Sequence, residues 1–194
     1  MSSKIQDDKL TKVKKIQKSF VWLIAILAVA GALFVACDKP VSSKPPGSVS
    51  AIDPLRGHLL HAQPRLPTLK VWLGSEEMVA EVCRAPVEIA TGMMFRTNMA
   101  ENEAMLFVFQ DAQPRSFYMR NCTVPLSAAY IEPDGTIAEI IDLQPGDEVG
   151  VQSKTGNIQF VLEVPQGWFT RHNIKTGSVI RTERGSLMET FFRR

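Results

Sequence analysis

The 194-residue sequence predicts a mainly β (α+β) fold: a compact antiparallel, barrel-like sheet with one or two short helices. Three observations carry this. Apolar and polar residues alternate at period two in short runs, as in Leu69-Lys70-Val71-Trp72-Leu73 and from Ile158 to Val164. Turn-forming residues separate the runs, at Gly74-Ser75, at Pro133-Asp134-Gly135 and at Lys175-Thr176-Gly177. Finally, Met105-Leu106-Phe107-Val108-Phe109 is apolar on both faces of a strand, so it belongs in the middle of a sheet covered on both sides. Strand-like runs far outnumber helical ones and most connections are short, which favours a curled sheet plugged by a helix.

The chain opens differently. Residues 20–36 carry no charge and no proline and would reach about 25 Å as a helix, just short of a bilayer core. Lys4, Lys9, Lys12, Lys14, Lys15 and Lys18 precede this predicted hydrophobic helix, an arrangement that keeps that end in the cytoplasm and sends the rest outward. The run Leu33-Phe34-Val35-Ala36-Cys37 resembles a bacterial lipoprotein signal, in which the cysteine, here Cys37, becomes lipidated. Asp38 resembles the residue that keeps many enterobacterial lipoproteins in the inner membrane. An uncleaved signal anchor is the alternative. Either way residues 1–37 form a signal peptide or anchor, the membrane is a partner, and the domain is expected on the periplasmic face of the inner membrane.

Residues 38–67, rich in Pro and Ser, read as a flexible stalk. His58 and His61 fall in it with no Cys or carboxylate at ligand spacing, so both are expected to be solvated and no metal site is expected. The globular domain is predicted over residues 68–185, with 186–194 as a loose tail. The leader, residues 1–36, has a charge balance of +4 and the remainder −2. The basic pI therefore belongs to the leader, and no nucleic-acid partner is expected. Three cysteines, Cys37, Cys83 and Cys122, are too few for a disulfide scaffold, although a Cys83–Cys122 bond is open in an oxidising compartment.

Within the domain, the first strand turns at Gly74-Ser75 into a second ending in Met78-Val79-Ala80-Glu81-Val82-Cys83. Pro86 starts a short helix, with Val87, Ala90, Thr91 and Met94 at helical spacing and Gly92 weakening its end. A polar loop leads to the central strand, which breaks at Asp111-Ala112-Gln113-Pro114. Phe117-Tyr118-Met119 then runs into a polar corner, Arg120-Asn121-Cys122-Thr123, closed by Pro125. Ser127–Glu132 and Thr136–Leu143 flank Asp134-Gly135 as a hairpin. After a long loop comes the Ile158–Val164 strand, with Glu163 on the face opposite Phe160. A helical turn or two over 166–172 and a last strand, Ser178–Thr182, complete the domain.

Five pieces of this sequence resemble the domain-of-unknown-function 192 family. They are Glu88 with Gly92-Met93-Met94-Phe95-Arg96, Met105 to Phe109, Phe117-Tyr118-Met119-Arg120-Asn121, Val124-Pro125-Leu126, and Val161-Leu162-Glu163-Val164-Pro165-Gln166-Gly167. The resemblance implies a compact β-rich domain, often behind a signal peptide, and no activity or cofactor. The chain departs from the family pattern at Ala104, Cys122 and Ser127, where Gly, Thr and Asp are usual.

Arg96, Asn121 and Glu163 are the polar residues set in these apolar motifs, and charge beside a core must be paired. One reading pairs Arg96 with Glu163 or Glu88 and gives Asn121 a turn. The other gathers the three in a cleft for a small polar ligand, with Arg120 and Tyr118 at its rim. The expected function is a membrane-tethered binding or interaction module whose partner is such a ligand or an envelope protein. The alternative is a small enzyme with Glu163 as acid or base. His172 is expected at an exposed helix end, which leaves no Ser-His-Asp set. Met93, Met94, Met99, Met105 and Met119 read as core rather than as copper(I) ligands.

Overall fold

A computed structural model describes residues 51–193; the leader, Cys37 and the first part of the stalk lie outside the described residues. Strands β1 (Thr68–Leu73), β2 (Glu76–Cys83), β3 (Glu103–Gln113), β4 (Ser116–Phe117), β5 (Leu126–Ile131), β6 (Ile137–Leu143), β7 (Val151–Gln152), β8 (Ile158–Pro165) and β9 (Ile180–Thr182) alternate with three short helices. Helix α1 (Pro86–Thr91) follows β2, α2 (Trp168–Arg171) follows β8, and α3 (Leu187–Phe191) follows β9.

Seven strands form one sheet in the order β6-β5-β8-β3-β2-β1-β9, while β4 and β7 pair separately. The doubly apolar β3 sits in the middle, and Ala104 through Val108 are all buried. Its neighbours cover its backbone and the two faces cover its side chains, so residues 104–108 have no wet side, whereas Gln110 to Gln113 at the end of the strand are exposed. One pairing departs from the antiparallel expectation: β2 and β3 run parallel. A parallel neighbour needs a long crossover, and α1 with the polar loop after it provides that.

The sheet curls into a half-barrel. Leu69, Val71, Leu106, Ala129, Phe160 and Ile180, drawn from strands across the whole sheet, share one apolar cluster with Trp168 and Phe169 of α2. Strands that far apart meet only if the sheet bends round on itself. At one corner its edges touch, where Thr136 before β6 bridges Val179 before β9 and Ile180 N–H donates to the Gly135 carbonyl at 2.9 Å. Gly135 has φ +91°, and a Cβ there would lie 3.0 Å from the Ile180 carbonyl oxygen, so this corner requires glycine. The other face carries a second cluster, with Met93, Met105, Phe107, Met119, Tyr130 and Val161, covered by α1 and the 117–125 corner.

Three expectations need correction. The end of the stalk is not free: His58, Leu59 and Gln63 are buried, Leu59 N–H donates to Thr91 Oγ1 at 3.0 Å, and Gln63 Nε2 donates to the Gly92 carbonyl at 2.8 Å. His58 is therefore not solvated, since apolar and backbone partners on α1 draw this arm in; both of its ring nitrogens lack a partner among the described residues. The C-terminal segment is not loose either. Ser186 and Glu189 form a reciprocal capping box, Leu187 is fully buried, and Phe191 and Phe192 lie 6.3 and 6.1 Å from the Phe160 ring. Burying Leu187 alone is worth about 1.5–3 kcal/mol, enough to hold the helix down. Lastly, β3 does not break at Asp111 but continues to Gln113 through a bulge opposite β8, with Gln113 still paired to Ile158.

Candidate functional site

Glu81 on β2, Met105 on β3 and Glu163 on β8 are direct register partners, so three adjacent strands carry them at one level on one face. With strands about 4.8 Å apart, the two glutamate backbones are roughly 10 Å from each other. Each glutamate is 4% exposed. Their surroundings differ completely.

Glu81 is the centre of a paired network. Arg96 Nη1 donates to its Oε1 at 2.5 Å and Arg96 Nη2 to its Oε2 at 2.9 Å, a bidentate pair. Arg65 Nη1 and the Leu66 N–H each add a bond at 2.8 Å. Burial opposes ionisation, but the bonds from Arg96, Leu66 and Arg65 outweigh it and hold the Glu81 carboxyl at a pKa of about 2. Arg96 Nη2 also reaches the Pro64 carbonyl at 3.3 Å, so this network fastens the arm to the sheet.

Glu163 has no such company. No hydrogen bond reaches its carboxyl among the described residues, and Oε2 is buried without a partner. Burial alone pushes its pKa up to about 8. The carboxyl lines a cleft of about 370 Å³ whose wall mixes apolar side chains, Met93 and Met94 after α1, Phe107 and Phe109 of β3 and Phe117 of β4, with the polar groups of Thr91, Arg115 and Ser116. The rings are set edge to face, with Phe117 4.9 Å from Phe107 and 6.5 Å from Phe109. The β3 bulge and Pro114 bring Arg115 to this wall, where its guanidinium lies 3.8 Å over the Phe109 ring.

Local backbone shape makes the cleft. Gly92 ends α1 at φ +46° beside Phe107, where a Cβ would stand 3.2 Å from the ring, so Met93 and Met94 can cross close above it. Phe95 and Asn121 both hold positive φ, 62° and 56°, and Phe95 N–H donates to the Asn121 carbonyl at 2.8 Å. Positive φ in a phenylalanine is a strained conformation, costing about 1–3 kcal/mol, and here it sits between the cleft residue Met94 and the paired Arg96.

The sequence-predicted residues thus divide. Glu163 faces the cleft and Tyr118 stands on its wall. Arg96 pairs with Glu81, not with Glu163, which lies two strands away on the same face, nor with Glu88, whose carboxyl accepts the Arg84 and Ala85 N–H groups. Asn121 is a left-handed turn residue whose Nδ2 approaches Met94 Sδ at 4.0 Å. Arg120 pairs with Glu148 in a separate depression shared with Arg56 and Tyr118. Cys83 and Cys122 are free thiols. Burial first, and then the charge of Glu163, pushes the Cys122 thiol up to about 12 and the Cys83 thiol higher still, which makes both poor nucleophiles. His172 closes α2, stacked 4.3 Å from Trp168 and bonded through Nδ1 to Glu76 at 2.9 Å. Among the described residues no group of three His, Cys, Asp or Glu is arranged to hold a metal.

The model of the DUF192 family, described as "Uncharacterized ACR", matches residues 70–182, more than half of the chain. The chain belongs to the DUF192 family. Two crystal structures resemble this DUF192 domain. One, from Sinorhizobium meliloti, is described as a candidate transcription regulator; it shares 27% identity at a TM-score of 0.59, covering 62% of this chain and 98% of its own. The other is a protein of unknown function from Novosphingobium aromaticivorans, also 27% identical, with a TM-score of 0.56 over 70% of this chain and 94% of its own. No curated protein matches the chain.

Proposed function

We propose that this DUF192 protein is a ligand-binding module, with a small molecule seated in the Glu163 cleft, held on the outer side of the cytoplasmic membrane by its apolar leader. One observation carries the binding reading: Glu163 is a buried carboxyl, unpartnered among the described residues, on the wall of a cavity lined in part by phenylalanine and methionine side chains. A buried polar group without a partner costs about 1–3 kcal/mol, and a ligand that supplied the partner would recover that cost. A cleft of about 370 Å³ lies at the small end of the range for ligand pockets. The uncharged run at 20–36, the lysines before it and Cys37 after it support the tether. The enzyme alternative loses two of its three groups, since Arg96 is committed to Glu81 and Asn121 to a turn. The regulator description of the S. meliloti relative is not extended to this chain, because the sequence after the leader has a net charge of −2.

A thermal-shift screen against cell-envelope metabolites tests the binding reading. At least one compound should raise the melting temperature of the wild type and leave that of Ala90→Trp, which fills the cleft, unmoved. A shift of the same size in both proteins refutes the cleft as the site. Incorporation of labelled fatty acid, lost in Cys37→Ala, tests lipidation; no label on the wild type leaves the signal anchor as the tether.

A further inference from the structure

We propose that the cleft selects a small organic cation, a primary ammonium on an apolar body, with the ammonium on Glu163 and the body against the phenylalanine and methionine walls. The inference rests on the ligand-binding reading above and names the chemistry of the ligand.

At the floor of the cleft Glu163 is left without a protein partner among the described residues. An ionised carboxylate has no proton to donate, and no donor reaches Glu163 from the protein among the described residues, whereas an ammonium brings three N–H groups and the opposite charge. The walls suit the same ligand, since aromatic faces attract cations through their ring quadrupoles and the Met93 and Met94 sulfurs are soft and polarisable. One ring already does this, because the Arg115 guanidinium lies 3.8 Å over Phe109. An anion finds no comparable welcome. Arg115 gives Nε to the Ile158 carbonyl at 3.3 Å and Nη2 to both the backbone and the side chain of Asp111, so most of its donors are taken.

The exchange is balanced. In the empty cleft burial raises the Glu163 pKa to about 8, so near neutrality the carboxyl holds a proton. When the ammonium arrives, that proton leaves to solvent, and the cation takes its place against the carboxylate. Below pH 8 the affinity should therefore rise about tenfold per pH unit, with close to one proton released per ligand. The amine, like a lysine, stays charged to about pH 10, so its own titration does not intrude. A neutral ligand shows neither effect.

Isothermal titration of the full chain in lipid nanodiscs, with 2-phenylethylamine, 2-phenylethanol and phenylacetate as probes, tests this. The amine should bind about tenfold or more tighter than the alcohol at pH 8 and should weaken about tenfold from pH 7.5 to 6.5. Buffers of different ionisation heat should report the released proton, a readout on the wild type that needs no variant. Glu163→Gln should bring the amine to the affinity of the alcohol and remove the pH dependence. Equal binding of amine and alcohol, preferred binding of phenylacetate, or a pH dependence that survives in Glu163→Gln overturns the cation inference while leaving the cleft as a binding site. No heat from any probe at millimolar concentration, together with a failed thermal-shift screen, overturns both.

Discussion

Glu81 and Glu163 flank Met105 on one face of the same sheet and are equally hidden from water, yet they are opposites. Glu81 is held ionised by two arginines and an amide. Glu163 is held neutral by the absence of any such group. Burial therefore does not decide what a carboxyl does; the donors within reach decide. A carboxylate that the protein has satisfied is a fastener. One that it has left unsatisfied is, on the function proposed above, the seat of a ligand.

The largest effect should come from breaking the satisfied side. Arg96→Ala removes the bidentate partner of a buried carboxylate, leaving it only Arg65 and the Leu66 N–H, and should cost about 3 kcal/mol, the low end for breaking a buried pair, in denaturant unfolding. A loss below about 1 kcal/mol would mean that the bidentate pair adds nothing to stability.

The next effect concerns pH, and the two residues have opposite signs. The folded pKa of Glu163 lies above its ordinary value of 4.5, so from there to about pH 8 the native state keeps a proton that the unfolded chain has shed. Stability should accordingly fall as pH rises through that window, by about 2 kcal/mol between pH 6 and pH 8. In Glu163→Gln the decline should vanish. The folded pKa of Glu81 lies below its ordinary value, so its contribution is present above 4.5 and is lost as pH falls toward 2. For these two residues taken together, melting curves should show greatest stability near pH 4.5, and a monotonic profile would contradict the assignment. The smallest effect is expected from Arg65→Ala. That side chain is 63% exposed, and despite its contact with Glu81 it should cost less than about 1 kcal/mol by the same unfolding measurement.

Period-two alternation and turn residues made most of the strands legible, and the doubly apolar run at Met105–Phe109 placed the central one correctly. The parallel pairing of β2 with β3 was not visible, because alternation reports which face is covered and not which way the neighbour runs. The C-terminal helix had a readable signal, Ser186 three residues before Glu189, ahead of Phe191 and Phe192. At the site, Glu163 stood out as a charge in an apolar run. Glu81 has the same signature, between Ala80 and Val82, and was the missing partner of Arg96. Choosing between two glutamates required strand order, which no local pattern contains. The cleft walls were hidden for a related reason. Met93 and Phe107 read individually as core, and the opening beside them is formed by segments far apart in the sequence, the end of α1, β3 and β4, which no local pattern brings together.

The corner where Thr136 meets Val179 has a consequence for how copies of this domain behave at high concentration. An open sheet normally leaves two outer strands with free hydrogen-bonding groups on which another molecule can add a strand. Here one outer strand, β9, is only Ile180–Thr182, and the other, β6, is tied down at its start to the turn before β9. Further along β6, Glu139 accepts the Lys154 N–H at 2.5 Å, which brings the 153–155 loop against that border. Little free edge is thereby left on which intermolecular β-aggregation could begin.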